Sequence, residues 1–518
     1  MLSMKNKMIK LTGLVLVYGL ISACDEAQEF IDSDFANPIA DATANATNGS
    51  ADFSTFVSIG DSLTAGYADG ALYRLGQENS YPAILAQQFA KVRGGTFKQP
   101  LVNDNLGGLL IGGNINSDYG NRRVLNAATQ TPEVLAGTPT TEVTSVLTGS
   151  FNNMGVPGAK SFHLGAEGLG DPAGLSTNPA TANPYFVRFA SSVSTSVIED
   201  AAAQAPSFFV LWIGNNDVLS YATEGGVGID QTGNTDLSTY GSRDITDPTA
   251  FAGIYTQLIT ALTTANTTAK GVLLNIPDIA TIPFFTTVPY NAVPLDAATA
   301  AALNTAYTAY NDGVQAAQGL SLITAEEAAQ RTISFAAGQN AVVILDEDLT
   351  DITAVDAALI NMRQATAKDL LVLTSSTKIG TLANPEDDPS DPSSPLWGIS
   401  APLEDADVLT PAEILAIETA RLAYNVSIAA AAEANPNLIL LDIAAIMTEL
   451  STTGINYGRN GTITATYATG GGFSLDGVHP TARGYSVIAN SIIDAINAGF
   501  NATIPKVYPG NYTTIFLN

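Results

Sequence analysis

Four short runs of apolar and β-branched residues punctuate the chain: Thr55–Ile59 (TFVSI), Phe208–Ile213 (FFVLWI), Gly271–Ile276 (GVLLNI) and Leu438–Ile443 (LILLDI). Each is nearly continuous rather than alternating, and each is bounded by Gly or Pro: Gly60, Gly214, Pro277 and Pro436. A strand that is apolar on both sides of its pleat is buried on both faces, as in a parallel sheet covered by helices. Between the runs lie Ala-rich segments with apolar residues at helical spacing, among them Tyr255–Thr264, Pro411–Ala434 and Ala482–Ala498. The clearest is Pro411–Ala434, where Thr410 is the cap, Pro411 takes the first helical position and Glu413 completes a capping box. Strands alternating with helices predict an α/β fold with a parallel sheet.

Two stretches, residues 90–150 and about 280–408, exceed an ordinary βα loop. The second carries its own strand–helix–strand pattern, AVVIL at 341–345 followed by TAVDAALINMRQATAKDLLVL at 353–373, and closes on the polar, Pro-rich loop Asn384–Pro395. This predicts an inserted subdomain or lid over 280–408, between body segments 52–279 and 409–518. Repeats of fixed period are not evident.

The N-terminus reads differently. Lys5, Lys7 and Lys10 precede the uncharged run Leu11–Ala23, which is short for a bilayer span and suits a signal-peptide core. The run ends in Ile21-Ser22-Ala23-Cys24, with small residues before a cysteine. That junction resembles the bacterial lipobox, in which the cysteine is lipidated and becomes the new N-terminus. The expectation is a lipoprotein signal over 1–23, lipidation at Cys24, and a flexible tether over 24–51 that is rich in Ala, Asn, Asp, Ser and Thr. It implies a partner membrane reached through a lipid anchor, in a bacterial cell envelope and most simply its outer membrane.

Composition removes several alternatives. Hydrophobic residues make up 46% of the chain, too many for a disordered polymer. Lys plus Arg number 21 against 49 Asp plus Glu, a net charge of −28, so phosphate backbones are repelled and no nucleic-acid partner is expected. One cysteine excludes an internal disulfide framework and thiolate metal clusters. The acids Glu386, Asp387, Asp388 and Asp391 lack the spacing of a calcium loop, as do Asp346, Glu347, Asp348 and Asp351; both sets read as solvated loops and no metal is expected. Only His163 and His479 are available to any mechanism that needs imidazole.

Four elements carry candidate chemistry. Gly60-Asp61-Ser62-Leu63 follows the first strand directly, so Ser62 is exposed at the C-terminal edge of the sheet, where ligands bind in open parallel sheets. Asp61, Ser62 and Thr64 are helix-cap types, Gly60 lets the chain turn, and a helix N-terminus stabilises developing negative charge. Asn153-Met154-Gly155-Val156-Pro157-Gly158 is a turn whose last glycine allows close backbone approach. Gly214-Asn215-Asn216-Asp217 follows the second strand and offers an amide donor to an oxyanion. Asp476-Gly477-Val478-His479-Pro480 opens the last helix; an Asp three residues before a His can turn back to accept its Nδ1 proton and leave Nε2 free as a base. Each element alone is a weak signal. Trp212, Tyr221 and Trp397 are further candidates for shaping a pocket, with core packing the default for Trp212.

Taken together and in this order, the four elements resemble the blocks of the SGNH (GDSL) hydrolase family of esterases and lipases, across Phe53 to Tyr485. The resemblance implies a three-layer α/β/α sandwich around five parallel strands, the flavodoxin-like SGNH hydrolase fold. It implies Ser62 as nucleophile, His479 as base and Asp476 as the residue that orients it. It implies an oxyanion hole made by the Ser62 backbone N–H, Gly158 and Asn216, with Gly155 a less favoured alternative to Gly158. No cofactor is implied. The N-terminal region and the run Gly472–Tyr485 resemble lipid-anchored members from Bacteroidetes-type bacteria. The implied substrate is a carboxylic ester: a lipid, a small ester or an acylated glycan. The runners-up are a polysaccharide O-deacetylase and, in a different class, a non-catalytic surface binding lipoprotein on the same fold. The long insertion departs from compact members and leaves the substrate open.

Overall fold

All four apolar runs become strands of one sheet, and a fifth strand joins its edge. The computed structural model describes residues 45–518 except 389, 392 and 460. The signal segment, Cys24 and the tether up to residue 44 lie outside the described residues. The strands are β1 (Phe56–Gly60), β2 (Asn153–Gly155), β3 (Phe208–Trp212), β4 (Lys270–Leu274) and β5 (Leu438–Leu441), all parallel, in the order β5-β4-β3-β1-β2. The register places Ser58 of β1 opposite Val210 of β3 and Asn153 of β2.

Double burial explains the continuous runs. Phe56 on β1 and Phe208, Val210 and Trp212 on β3 face one core, whereas Val57, Ile59, Phe209 and Leu211 face the other. The first core is covered by α2 (Tyr81–Phe89) and α7 (Ala482–Phe500). The second is covered by α4 (Pro248–Ala265) and α5 (Pro411–Glu433), giving three layers. By length and hydropathy α5 is the one described helix able to cross a bilayer. It is instead a layer helix: Ile417, Tyr424 and Ile428 are buried, and Arg421 and Asn425 both donate to the Ile276 carbonyl beyond β4.

Strand β2 has no counterpart among the apolar runs. It is three residues long, and the buried amide of Asn153 is satisfied by Thr64 O and Gln99 Oε1 at 3.0 Å each. The sequence there reads as a turn because a three-residue strand with a polar first position has no period to detect.

The 280–408 segment holds helices at Ala297–Ala306, Thr308–Gly319 and Ala325–Arg331, with apolar clusters around Val314 and Ile333 and around Val342 and Leu371. The strand expected at 341–345 forms as Val343–Leu345. The helix expected next does not form. Residues 353–361 are turns, in which Asp351 accepts from Thr353 N–H and Asp356 from Ala358 N–H, a local bonding that competes with helix. Met362–Gln364 then pairs antiparallel with Val343–Leu345, and buried Arg363 is held between Asp346 (2.5 Å) and Asp369 (2.6 Å). Leu370–Leu371 pairs with Val408–Leu409. Residues 90–150 form short sheets and turns, including the hairpin Arg123–Leu125/Pro132–Val134.

The end of the tether is not free. Ser50 N–H donates to Phe500 O and Thr47 N–H to Thr503 Oγ1, so the folded body includes residues 45–51.

Candidate active site

Strand β1 runs straight into a one-turn helix, α1 (Ser62–Ala65), so the Ser62 side chain stands at the C-terminal edge of the sheet. Asp61 caps that turn. Its Oδ1 accepts from Leu63 N–H at 2.9 Å, and its Oδ2 accepts from Asn215 Nδ2 at 3.1 Å. Burial pushes the Asp61 carboxyl up to about 6 in spite of these two bonds. Beneath the turn, Tyr81 Oη lies 2.8 Å from Thr64 Oγ1 and 3.1 Å from Ser58 Oγ.

The last loop before α7 brings Asp476 and His479 to the same place. His479 Nε2 lies 2.8 Å from Ser62 Oγ across 417 positions of sequence, and His479 Nδ1 lies 2.9 Å from Asp476 Oδ2. Ser62 is 7% exposed, and the side chains of His479 and Asp476 are 14% and 9% exposed. Asp476 also accepts three backbone N–H groups, from Val478 and His479 on Oδ1 and from Gly70 on Oδ2. Burial raises its pKa, but the charge and hydrogen bond of His479 and the backbone donors outweigh burial and hold the carboxyl well below its ordinary range. An ionised carboxylate only accepts, which assigns the imidazole proton to Nδ1 and the free lone pair to Nε2, facing the Ser62 hydroxyl.

What joins these distant segments is a strap after α1 that no motif marked. Asp69 N–H donates to Ser474 Oγ at 2.8 Å, Asp69 Oδ1 accepts from Leu475 N–H at 3.0 Å, and Gly70 N–H reaches Asp476. Tyr73 Oη donates to Asp69 Oδ2. Tyr67 holds the strap from within: its hydroxyl donates to Gly70 O, its carbonyl accepts from Tyr485 Oη, and its ring packs against the His479 ring, centroids 4.7 Å apart and planes tilted by 45°. Burial, with the Asp476 charge adding to it, pushes Asp69 up to about 6. Only the cluster of aromatics and acid at 67–73 hinted at this in the sequence.

The two candidate glycines separate by their surroundings. A Cβ on Gly155 would meet Ala65 N at 2.3 Å, so this glycine allows α1 to pack on β2. Gly158 has φ +79° and open space where a side chain would be. The Pro157 carbonyl accepts from Asn183 Nδ2, which turns the N–H of the same peptide the opposite way. Among the described residues neither Gly158 N–H nor Ser62 N–H bonds to another residue. Asn216, at the start of α3 (Asn216–Ala222), donates from Nδ2 to Ala159 O at 2.9 Å, which fixes its amide beside the Gly158 turn. The preceding Asn215 serves Asp61 instead, and buried Asp217 accepts from Ser161 N–H and Oγ.

Residues 56–346 match the family model described as GDSL-like lipase/acylhydrolase, more than half of the chain. The chain belongs to this family. Comparison with curated proteins and with solved structures found no match. The acylhydrolase is accordingly a hydrolase of ester bonds in general, on a parallel sheet of five strands, four of which its apolar runs predict. The matched span stops before Asp476 and His479; the fold returns these two to Ser62 through the last loop.

Elsewhere in the acylhydrolase, His163 Nδ1 accepts from Lys160 N–H at 3.0 Å. Burial, with the Lys160 charge, lowers its pKa to about 4, so it stays neutral. Glu386, Asp387, Asp388 and Asp391 sit in loop turns, with Asp388 and Asp391 each accepting from the Ser two residues on. Trp397 stacks under Lys378 inside the insertion. The insertion packs against the Asp476–His479 loop: Phe284 N–H donates to Gly477 O at 3.0 Å, and Leu373 lies against Gly477.

Proposed function

We propose that the acylhydrolase cleaves carboxylic esters through an acyl-enzyme, with Ser62 as nucleophile, His479 as general base and Asp476 as the residue that fixes its tautomer. The observation that carries this reading is the unbroken Asp476–His479–Ser62 chain of contacts at 2.9 and 2.8 Å. Ser62 Oγ attacks the ester carbonyl as His479 Nε2 takes its proton. The carbonyl oxygen becomes an oxyanion opposite the nucleophile, where the N–H groups of Ser62 and Gly158 and the second amide hydrogen of Asn216 are unspent; a good donor of this kind contributes about 3 kcal/mol. His479 then protonates the leaving alcohol, and water repeats the sequence on the acyl-enzyme.

An apolar cavity supports an acyl chain longer than acetyl. It encloses about 80 Å³, and its walls include Leu63, next to Ser62, and Val478 and Pro480, on either side of His479, with Trp212, Met447 and Leu450 behind. A panel of p-nitrophenyl esters is expected to favour chains of four carbons or more. Ile446→Phe, which fills the cavity from α6 (Ile443–Thr452), is expected to lower kcat/KM for those chains about tenfold while sparing acetate, since one methylene in an apolar pocket is worth about 1–3 kcal/mol. A preference for acetyl would favour the sugar deacetylase instead.

Display in the cell envelope through a lipid on Cys24 is part of the same proposal, and it rests on the sequence of residues 1–24. The enzyme reading is tested by a fluorophosphonate probe. Wild-type protein is expected to label stoichiometrically and Ser62→Ala not at all; equal labelling of both, or of neither, rejects Ser62 as nucleophile.

A further inference from the structure

Far from the Ser62–His479 contact in sequence, three carboxylates meet where the insertion returns to the core. Glu347 follows the strand Val343–Leu345, Asp405 lies just before Val408–Leu409, and Glu413 is in the first turn of α5. One carboxylate oxygen from each lies within 4.8 Å of the other two. Glu347 is exposed, Asp405 half-buried and Glu413 only 4% exposed. The nearby basic groups are committed elsewhere: Lys378 to Glu404 and Asp407, Arg363 to Asp346 and Asp369, and Arg243 to Glu224. Among the described residues none of the three acids has a basic partner.

Glu413 singles the cluster out from an ordinary acidic surface. Its Oε2 accepts from Thr410 N–H and Oγ1. Its Oε1 is fully buried and has no hydrogen-bond partner. That oxygen faces Gly226, where a Cβ would come within 1.6 Å of it, and the adjoining Gly225 packs on the backbone of Asp405 and Ala406. The loop that follows α3 therefore closes over the cluster on the side where the unpaired oxygen points.

A buried carboxylate oxygen without a donor is costly, and neighbouring like charges add to the cost. The cluster is short of positive charge, and a hard cation supplies it. Calcium binds oxygens at about 2.3–2.6 Å, so its ligands lie up to roughly 5 Å apart, which matches this spacing. We propose that Glu347, Asp405 and Glu413 form a calcium site that ties the insertion to α5 and to the loop after α3. The exposed side of Glu347 leaves room for the waters that complete calcium's coordination.

The test uses the full chain, stripped with chelator and titrated with calcium by calorimetry and by thermal melting. One calcium per chain and a rise in Tm that EDTA reverses are expected. Glu347→Gln and Asp405→Asn remove a ligand at the less buried end, where folding is not at risk. Each is expected to weaken calcium binding at least tenfold. Because each also relieves repulsion, each should melt above wild type in chelator and below it in calcium. No calcium uptake by the wild type up to millimolar concentration would overturn the site and leave a shared proton in its place. Unchanged uptake by both variants, or magnesium bound in preference, would overturn it as well.

Discussion

His479→Ala is expected to lower kcat on any ester by about a million-fold, or about 8 kcal/mol in barrier, with Tm nearly unchanged. The size follows from the geometry. Ser62 Oγ has one basic neighbour, His479 Nε2 at 2.8 Å, and a neutral hydroxyl is a poor nucleophile without one. Because nucleophile and base act as a unit, losing either removes nearly all of their joint contribution, and only binding and oxyanion stabilisation remain. The other histidine supplies the control. His163 spends Nδ1 on the Lys160 N–H, and its pKa is lowered to about 4, so His163→Ala should cost one hydrogen bond, about 1 kcal/mol of stability, and leave kcat within about threefold. Steady-state kinetics and melting curves on the two variants check this; equal losses of kcat would mean that the base is misassigned.

The sheet was legible because its physics is local. Strands β1, β3 and β4 are buried on both faces, and a doubly buried strand is apolar at nearly every position, which leaves an unmistakable run; the edge strand β5 has the same apolar run although Leu440 is exposed. Helix α5 was legible to its first residue because its cap is written in Thr410, Pro411 and Glu413. Less of the insertion could be read. Its Ala-rich helices, such as Ala297–Ala306, have weak contrast between faces, and the apparent helix after 353 is undone by Asp351 and Asp356 bonding to nearby backbone.

The candidate site shows the same division. The motif residues Ser62, Gly158, Asn216, Asp476 and His479 could be named from sequence because the four short motifs that hold them, in this order, resemble the blocks of the SGNH (GDSL) family. The residues that bring them together could not. Asp69, Tyr67 and Tyr485 act through contacts made across about 400 residues, and a bond such as Tyr485 Oη to Tyr67 O has no local signature. Glu347 is the sharpest example. In sequence it is one acid among Asp346, Asp348 and Asp351, yet Asp346 goes inward to Arg363 while Glu347 turns toward Asp405 and Glu413. Neighbours in the chain with the same charge are separated only by the backbone's direction.

Asp476→Asn should be less damaging than loss of Ser62 or His479 but still severe, lowering kcat about ten-thousand-fold with little effect on KM. The wild-type carboxylate faces four donors: Val478 and His479 N–H on Oδ1, and Gly70 N–H and His479 Nδ1–H on Oδ2. Asparagine must turn its NH2 toward one of these pairs. Toward Oδ1's place it meets two backbone N–H groups, neither of which can stop donating. Toward Oδ2's place it meets one backbone N–H and an imidazole, and an imidazole can exchange its proton. The second arrangement leaves fewer donors opposed, so the variant settles there. Nδ1 then accepts from the amide, the proton moves to Nε2, and His479 presents a donor to Ser62 where the reaction needs a base. The fold is kept, because only the Gly70 bond is lost, about 1 kcal/mol. The readout that separates this from simple loosening is nitrogen NMR of the imidazole: Nε2 should be protonated in the variant at a pH where Nδ1 is protonated in the wild type. An unchanged tautomer with full activity would remove Asp476 from the catalytic chain.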